Sequence, residues 1–416
     1  SQNEQDSRYY AQFGQIFCFE PSNHQEAYDM TRKAFDLSES CGIPVMIRMV
    51  TRLAHSRSQV QPRPPRKQNA VKYGERSDWT LLPVNARRRF KILAENQNEF
   101  VKISEESEFN TLDISDEIES FAVITSGIAY NYVLENYADS KKRPSILKVT
   151  SYPLPKALIG RLIAQSDTVL IVEEGYPFLE KNLTGLFGIH GKDVKGKLTG
   201  HLPLTGELSP EIVRQALELS PRTKRDIGDF PIAGRPPQLC QGCGHRDTYD
   251  ALNSALKSYS QGHVFSDIGC YTLGALPPYN AIESCVCMGA SISMAKGGAE
   301  AGVYPSVAVI GDSTFAHSGI TPLLDAATVN TDMTVLILDN ATVAMTGGQP
   351  TFATGDKLVR IIEGLGVPGE HIRKILPLPK NLDENTRIIN EEIDYHGLSV
   401  IIAARECVQQ ARKNRS

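Results

Sequence analysis

No apolar run in the 416 residues approaches the roughly 18 that a membrane-spanning helix needs, so a helical membrane protein is excluded. The opening Ser1-Gln2-Asn3-Glu4-Gln5-Asp6 is polar and acidic and carries no basic stretch leading into an apolar one, and the sequence predicts no export. Excess charge of one sign is also missing. A formal net charge of -4 argues against a chain built as a whole to coat nucleic acid or an anionic membrane. What remains, 41% apolar and 22% charged residues over this length, predicts a water-soluble globular chain of two or three domains.

The charge is unevenly spread. Between Arg52 and Lys91 stand eleven Lys and Arg against two acids, leaving 33 basic and 46 acidic side chains elsewhere. That basic segment holds Pro62, Pro64, Pro65 and Trp79 without a sustained apolar period, so it reads as a solvated linker that contacts a partner. It has no nucleic-acid motif and little aromatic interleaving. The cysteines are as uneven: Cys240, Cys243, Cys270, Cys285 and Cys287 crowd into one stretch, while Cys18, Cys41 and Cys407 stand apart. Without an export signal, this pattern favours metal ligation or redox chemistry in a reducing, cytoplasmic compartment over structural disulfides.

Apolar residues fall at helical spacing from Pro21 to about Gly42, with Ser22 or Asn23 as cap, and Ile43 to Val50 reads as a buried strand. So short a unit predicts a further portion upstream of Ser1. From Phe121 strands and helices alternate: strands Phe121 to Gly127, Ser145 to Val149 and Thr168 to Glu174, helices Ala129 to Tyr137 and Pro155 to Gln165. This alternation predicts a parallel sheet. Residues 203 to 236 read as a second linker. Beyond it, strands Val264 to Asp267, Ser306 to Ile310, Thr334 to Leu338 and Leu398 to Ala403 interleave with helices Asp247 to Ser258, Met288 to Glu300 and Thr321 to Asn330, a doubly wound pattern whose ligands sit at strand carboxyl ends.

Two motifs lie there. The strand ending at Ile310 runs into Gly311-Asp312-Ser313, and the strand ending at Leu338 runs into Asp339-Asn340. Side-chain oxygens of Asp312 and Asn340 at adjacent strand tips, with the Thr342 carbonyl, suit magnesium, which keeps phosphate oxygens among its ligands. Thr346 and Gly347, in Met345-Thr346-Gly347-Gly348-Gln349, offer backbone amides to a diphosphate. A Gly-Asp followed by Asn 28 residues later resembles the thiamine diphosphate motif, with Ser313 where glycine is commoner and Ala341 where a second Asn is usual. In the second motif, Cys240-Gln241-Gly242-Cys243-Gly244-His245 is a Cys-x-x-Cys turn open to zinc, an iron-sulfur cluster or a redox disulfide. With Cys270 after the strand ending at Asp267 and Cys407 after the last strand, the foursome favours a [4Fe-4S] cluster, with zinc as the alternative. Cys285 and Cys287, two apart, read as packing thiols. His317, near Asp312, is a better candidate for a place beside the cofactor than His245.

Taken together, Cys240 to Arg246, the run Gly269-Cys270-Tyr271-Thr272-Leu273-Gly274, Cys287 to Ile292, Gly311 to Ser313 and Asp339-Asn340 with Met345 to Gln349 resemble the alpha subunits of the indolepyruvate:ferredoxin oxidoreductases, a branch of the 2-oxoacid:ferredoxin oxidoreductases. The resemblance spans nearly the whole chain. It implies the end of a pyrimidine-binding domain over 1-50, a basic linker over 51-100, a transketolase C-terminal-like α/β domain over 101-230 and a thiamine diphosphate-binding fold, a doubly wound parallel sheet, over 231-416. Most of the first domain and a C-terminal ferredoxin-like module fall outside it, so the chain reads as a fragment or a short variant.

The resemblance also implies the activity: oxidative decarboxylation of an aryl 2-oxo acid to an acyl-CoA, with electrons passing through the cluster to ferredoxin. Asp312, Asn340 and Thr342 would hold magnesium, Cys240, Cys243, Cys270 and Cys407 the cluster, and Gly269, Gly311 and Ser313 would touch the cofactor. A smaller beta subunit carrying the gamma-type domain would complete a dimer of heterodimers. The glutamate that activates the aminopyrimidine ring belongs to the first domain, and no residue here takes that role. The competing readings are a non-redox thiamine diphosphate-dependent decarboxylase, an inactive subunit fragment and a zinc-stabilised binding module.

Overall fold

A computed structural model describes residues 4–71, 73–115, 120–140, 142–223, 234 and 236–414, and the chain divides into two units, Ser1–Gly228 and Asp229–Ser416. The first unit opens with helix Arg8–Gly14, followed by strand β1 (Cys18–Phe19) and helix His24–Cys41. Asn23 caps that helix by accepting the Glu26 amide at 2.9 Å, Glu26 reaches back to the Ser22 amide at 2.8 Å, and Gly42 closes it in the left-handed conformation. Its Met30, Ala34 and Leu37 face Phe17, Phe19 and Phe100 in one small core. The buried strand expected over Ile43 to Val50 is only β2 (Met46–Ile47), half-buried and paired parallel with β1.

The main sheet of this unit has the order β3-β5-β4-β7-β8, with β3 (Thr111–Asp113), β4 (Phe121–Ser126), β5 (Ser145–Val149), β7 (Thr168–Val172) and β8 (Asp193–Lys195). β6 (Ser151–Tyr152) leaves it to pair antiparallel with β1. All pairs are parallel except β3 with β5. The segment read as linker carries the helix Pro83–Glu105, 23 residues long, of which only Phe100 and Ser104 are buried. A helix so exposed leaves too narrow a buried apolar stripe, Phe100 with Ile103, for periodicity to find. The second expected linker includes the helix Pro210–Ala216, and its residues 224–233 and 235 lie outside the described residues.

The second unit is built on a six-stranded, wholly parallel sheet in the order β10-β9-β11-β12-β16-β15. Its strands are β9 (His263–Ser266), β10 (Ser284–Cys285), β11 (Ser306–Gly311), β12 (Met333–Asp339), β15 (Ile372–Ile375) and β16 (Leu398–Ala404); β13 (Thr342–Val343) and β14 (Gln349–Pro350) form a separate hairpin. Residues alternate strictly between the faces. Val307, Val309, Leu336, Leu338, Ile401 and Ala403 pack on one side, beneath helices Gly244–Leu256 and Leu382–Asp394. Ala308, Ile310, Val335, Ile337, Val400 and Ile402 pack on the other, beneath helices Ala290–Glu300, Ile320–Thr328 and Gly355–Gly364. Both faces being covered, the strands read in sequence as unbroken apolar runs. The chain moves from β9 outward to β10 and then back across to β11, so the strand order reverses between β9 and β11. A crevice for ligands opens at such a point, beyond the strand carboxyl ends. Among the described residues no helix is long and apolar enough to cross a membrane.

Candidate active site

Three strand tips meet in the crevice. Loops Ile268 to Tyr271 after β9, Gly311 to Thr314 after β11 and Leu338 to Thr346 after β12 line a cavity of about 220 Å³. Gly311 is held to glycine by contact: a Cβ there would stand 2.6 Å from the Tyr271 ring, which lies over the strand end. The Tyr271 hydroxyl donates to Asp267, whose second oxygen accepts from Ser291 Oγ at 2.7 Å, so β9, its following turn and helix Ala290–Glu300 are tied together behind the cavity. Tyr271 and Asp267 carry this framework; in the sequence Asp267 was read only as the end of a strand and Tyr271 only as part of the run Gly269 to Gly274.

Asp312 is buried at the tip of β11. One of its oxygens accepts the Ser313 amide at 2.7 Å; the other, Oδ2, is buried with no hydrogen-bond partner. Burial, with Asp339 nearby, pushes its carboxyl up to about 7 although the Ser313 and Ala341 amides pull the other way. A buried oxygen left bare costs free energy unless a ligand meets it, and a hard cation is the group that both meets it and favours the charged form. The donor set therefore fits magnesium. Asn340, on the adjacent strand tip, also lines the cavity, and its side-chain oxygen accepts the Thr342 amide at 3.0 Å, which leaves a second lone pair. Asp339, close to Asp312, does not line the cavity and is held by Thr354 Oγ1 at 2.5 Å, the Gly355 amide at 2.9 Å and the Ala341 amide at 3.2 Å. Ser313, Thr342, Thr346 and Gly269, expected from sequence to touch a cofactor, line the cavity. Gly347 does not; with Gly348 it makes the hairpin turn between β13 and β14 at φ 128° and 85°.

A second cavity of about 140 Å³ is lined by Cys240, Cys243, Cys270 and Cys407. The four expected thiols are thus on one chamber. Cys243 and Cys270 are pushed up by burial first and then by the neighbouring thiols, Cys270 to about 11. Thiols that resist ionisation in one another's company are relieved by a cation, and soft sulfur donors suit iron-sulfur or zinc centres. Among the described residues, however, no group of three or more His, Cys, Asp or Glu side chains stands arranged to hold a metal ion. Cys285 and Cys287 line neither cavity; Cys285 leans on the Asp267 carbonyl at 3.5 Å and Cys287 is exposed.

The two cavities share residues. His245, Cys270, Asn340 and Ala344 line both. The loops that carry them are also joined, the Cys407 amide donating to the Asn340 carbonyl at 3.2 Å and the Arg405 amide to the Asp339 carbonyl at 2.9 Å. His245 is 5% exposed in the first turn of helix Gly244–Leu256, neither ring nitrogen has a partner, and burial pulls its pKa down to about 4, so the ring is neutral. His317 is exposed within the π-helical turn Phe315–Gly319 and lines neither cavity, the reverse of the ranking expected from sequence.

A carboxylate and an amide at neighbouring parallel strand tips, over a cavity at the point where strand order reverses, define a thiamine diphosphate-binding fold. In keeping with that class, the family described as thiamine pyrophosphate enzyme, C-terminal TPP binding domain, matches residues 267–402. Over 98% of its length the chain is similar to the indolepyruvate oxidoreductase subunit IorA of Archaeoglobus fulgidus, 33% identical and covering 68% of that protein. The subunit IorA of Methanothermobacter thermautotrophicus is likewise 33% identical over 98% of this chain and 69% of its own, and that of Pyrococcus abyssi is 32% identical over 98% and 68%. The chain belongs to this family of oxidoreductase subunits.

Proposed function

We propose that this chain is the thiamine diphosphate-binding subunit of a 2-oxoacid oxidoreductase that converts an aryl 2-oxo acid of the indolepyruvate type to its acyl-CoA, passing electrons through a [4Fe-4S] cluster to ferredoxin. The observation that carries the reading is the shared wall: a site for an electron-rich organic cofactor and a chamber of four thiols have His245, Cys270, Asn340 and Ala344 in common. A decarboxylase without redox chemistry has no use for that adjacency.

When bound, thiamine diphosphate supplies a carbon nucleophile for the substrate carbonyl and a sink for the electrons that departing carbon dioxide leaves behind. The chain's own residues do the rest. Asp312, Asn340 and the Thr342 carbonyl would hold magnesium against the diphosphate, with the Tyr271 ring packed over the strand tip at Gly311. Cys240, Cys243, Cys270 and Cys407 would hold the cluster beside it. In balance, a 2-oxo acid and coenzyme A give acyl-CoA, carbon dioxide, a proton and an electron pair, which two ferredoxins remove one electron at a time. The reading includes a smaller beta subunit, a dimer of heterodimers and a cytoplasmic setting, with which eight cysteines free of disulfides agree.

The test is anaerobic reconstitution of the chain with iron, sulfide, magnesium and thiamine diphosphate, together with the beta subunit, followed by indolepyruvate and coenzyme A. The expected result is about four irons per chain and an electron paramagnetic resonance signal of a reduced cluster on adding substrate. Release of carbon dioxide without any reduced cluster, or zinc in place of iron, overturns it.

A further inference from the structure

We propose that His245 is a binding residue of this site, one ring nitrogen donating its hydrogen to an anionic oxygen held in the diphosphate cavity. The inference rests on the cofactor reading above and adds a residue to it. Three observations carry it. His245 is buried, and it lines the cavity that Asp312 and Thr346 also line. Both ring nitrogens are shut off from solvent and have no hydrogen-bond partner. Its ring meets Tyr271 edge-on at 6.3 Å, so the aromatic ring that covers the strand tip at Gly311 also packs against it.

Packing alone does not explain a histidine there. A phenylalanine of similar shape would fill the same volume with no polar atom to leave bare, whereas an imidazole needs a partner for its N–H. The chain itself supplies none among the described residues. The helix start at Gly244 fixes the ring on the wall between the thiols and the diphosphate cavity, where the partner is whatever occupies that cavity. The shared chemistry is an anionic oxygen, from either the cofactor's diphosphate or the carboxylate of the 2-oxo acid.

The two sources are separated by binding measurements on the reconstituted full chain with its beta subunit. Calorimetry would follow thiamine diphosphate with magnesium, and inorganic pyrophosphate with magnesium as a probe lacking the organic rings. A non-reacting 2-oxo acid analogue would be titrated separately onto the loaded protein. His245→Phe is expected to weaken either the two diphosphate ligands or the analogue by about tenfold or more, as loss of a hydrogen bond to a charged group does. It should also leave the melting temperature of the ligand-free protein unchanged or higher, and His245→Asn, which keeps an N–H donor, should recover part of the lost affinity. Diphosphate affinities within twofold of wild type together with unchanged analogue binding overturn the proposal. So does a His245→Asn variant as weak as His245→Phe, or a loss of iron that accompanies every loss of affinity, which marks a structural role instead. Wild-type protein that fails to bind thiamine diphosphate at all overturns the cofactor reading, a result obtained before any variant is made.

Discussion

Ala341 holds φ at 61°, a conformation in which a Cβ crowds the following carbonyl at a cost of roughly 1–2 kcal/mol. It does so between Asn340 and Thr342, in the turn that presents the magnesium oxygens, so the strain sits where the site is set. Asparagine tolerates this conformation better than alanine. Ala341→Asn is therefore expected to raise stability by about 0.5–1 kcal/mol in chemical denaturation, with affinity for thiamine diphosphate and magnesium within about twofold of the parent. A fall in stability would show that the side chain, and not the backbone, dictates alanine there. Asp312 shows the opposite balance of stability and function. Its bare buried oxygen makes it a liability in the ligand-free chain, and Asp312→Asn removes the charge without changing the shape. Thermal melts of the ligand-free variant should match or exceed the parent, while calorimetry should find affinity for magnesium and thiamine diphosphate weaker by about 100-fold or more, since even outer-shell changes cost 10–100-fold.

The first helix of the chain, Arg8–Gly14, is fixed by a charge and not by apolar packing alone. Arg8 is 1% exposed and reaches Asp6 Oδ1 at 2.9 Å, Glu173 Oε2 at 2.9 Å and Ser126 Oγ at 3.2 Å, beyond β7 and at the end of β4. Arg48, just past β2, pairs with Glu20, which also accepts the Tyr152 hydroxyl at 2.5 Å. Removing one member leaves the others buried and uncompensated. Arg8→Met should destabilise the first unit by about 3–5 kcal/mol in denaturant, and Arg8→Lys by less, because the ammonium keeps the charge but loses the fork. Equal stability of Arg8→Met and parent would show the network to be solvated. None of this was legible in sequence, where the opening residues look like an ordinary polar terminus; burial of a charge is decided by partners far along the chain. The parallel strands were legible because a sheet covered on both faces writes its strands as apolar runs, as in β11, β12 and β16. Helix Pro83–Glu105 was not, because its long exposed surface leaves too narrow a buried stripe. At the site, Asp312 and Asn340 could be placed because each follows its strand directly. His245 and His317 could not be ranked, since nearness to Asp312 along the chain does not say which way a π-helical turn will point.

At the scale of the whole chain, every residue lining the two cavities belongs to Asp229–Ser416. So does every buried residue of the two cores on either face of its sheet. Each fully buried Val, Leu or Ile contributes about 1.5–3 kcal/mol relative to exposure. With all seven residues of β12 buried and the first six of β16 likewise, the unit holds its own core, one on the scale of an ordinary domain. Residues 229–416 produced alone should therefore melt in a single cooperative transition. Reconstituted anaerobically, they should take up about four irons with the visible absorption of an iron-sulfur protein, because Cys240, Cys243, Cys270 and Cys407 are all present. Cys407→Ser in the same piece should lower the iron content while leaving the melt cooperative, since Cys407 is only half-buried and joins the site through its backbone amide, which serine retains. A piece that is soluble yet shows no cooperative melt would mean that the sheet depends on the first unit. A piece that folds and holds no iron would place the missing determinant of the cluster outside these residues, and would shift the reading toward a chain whose thiols pack without ligating.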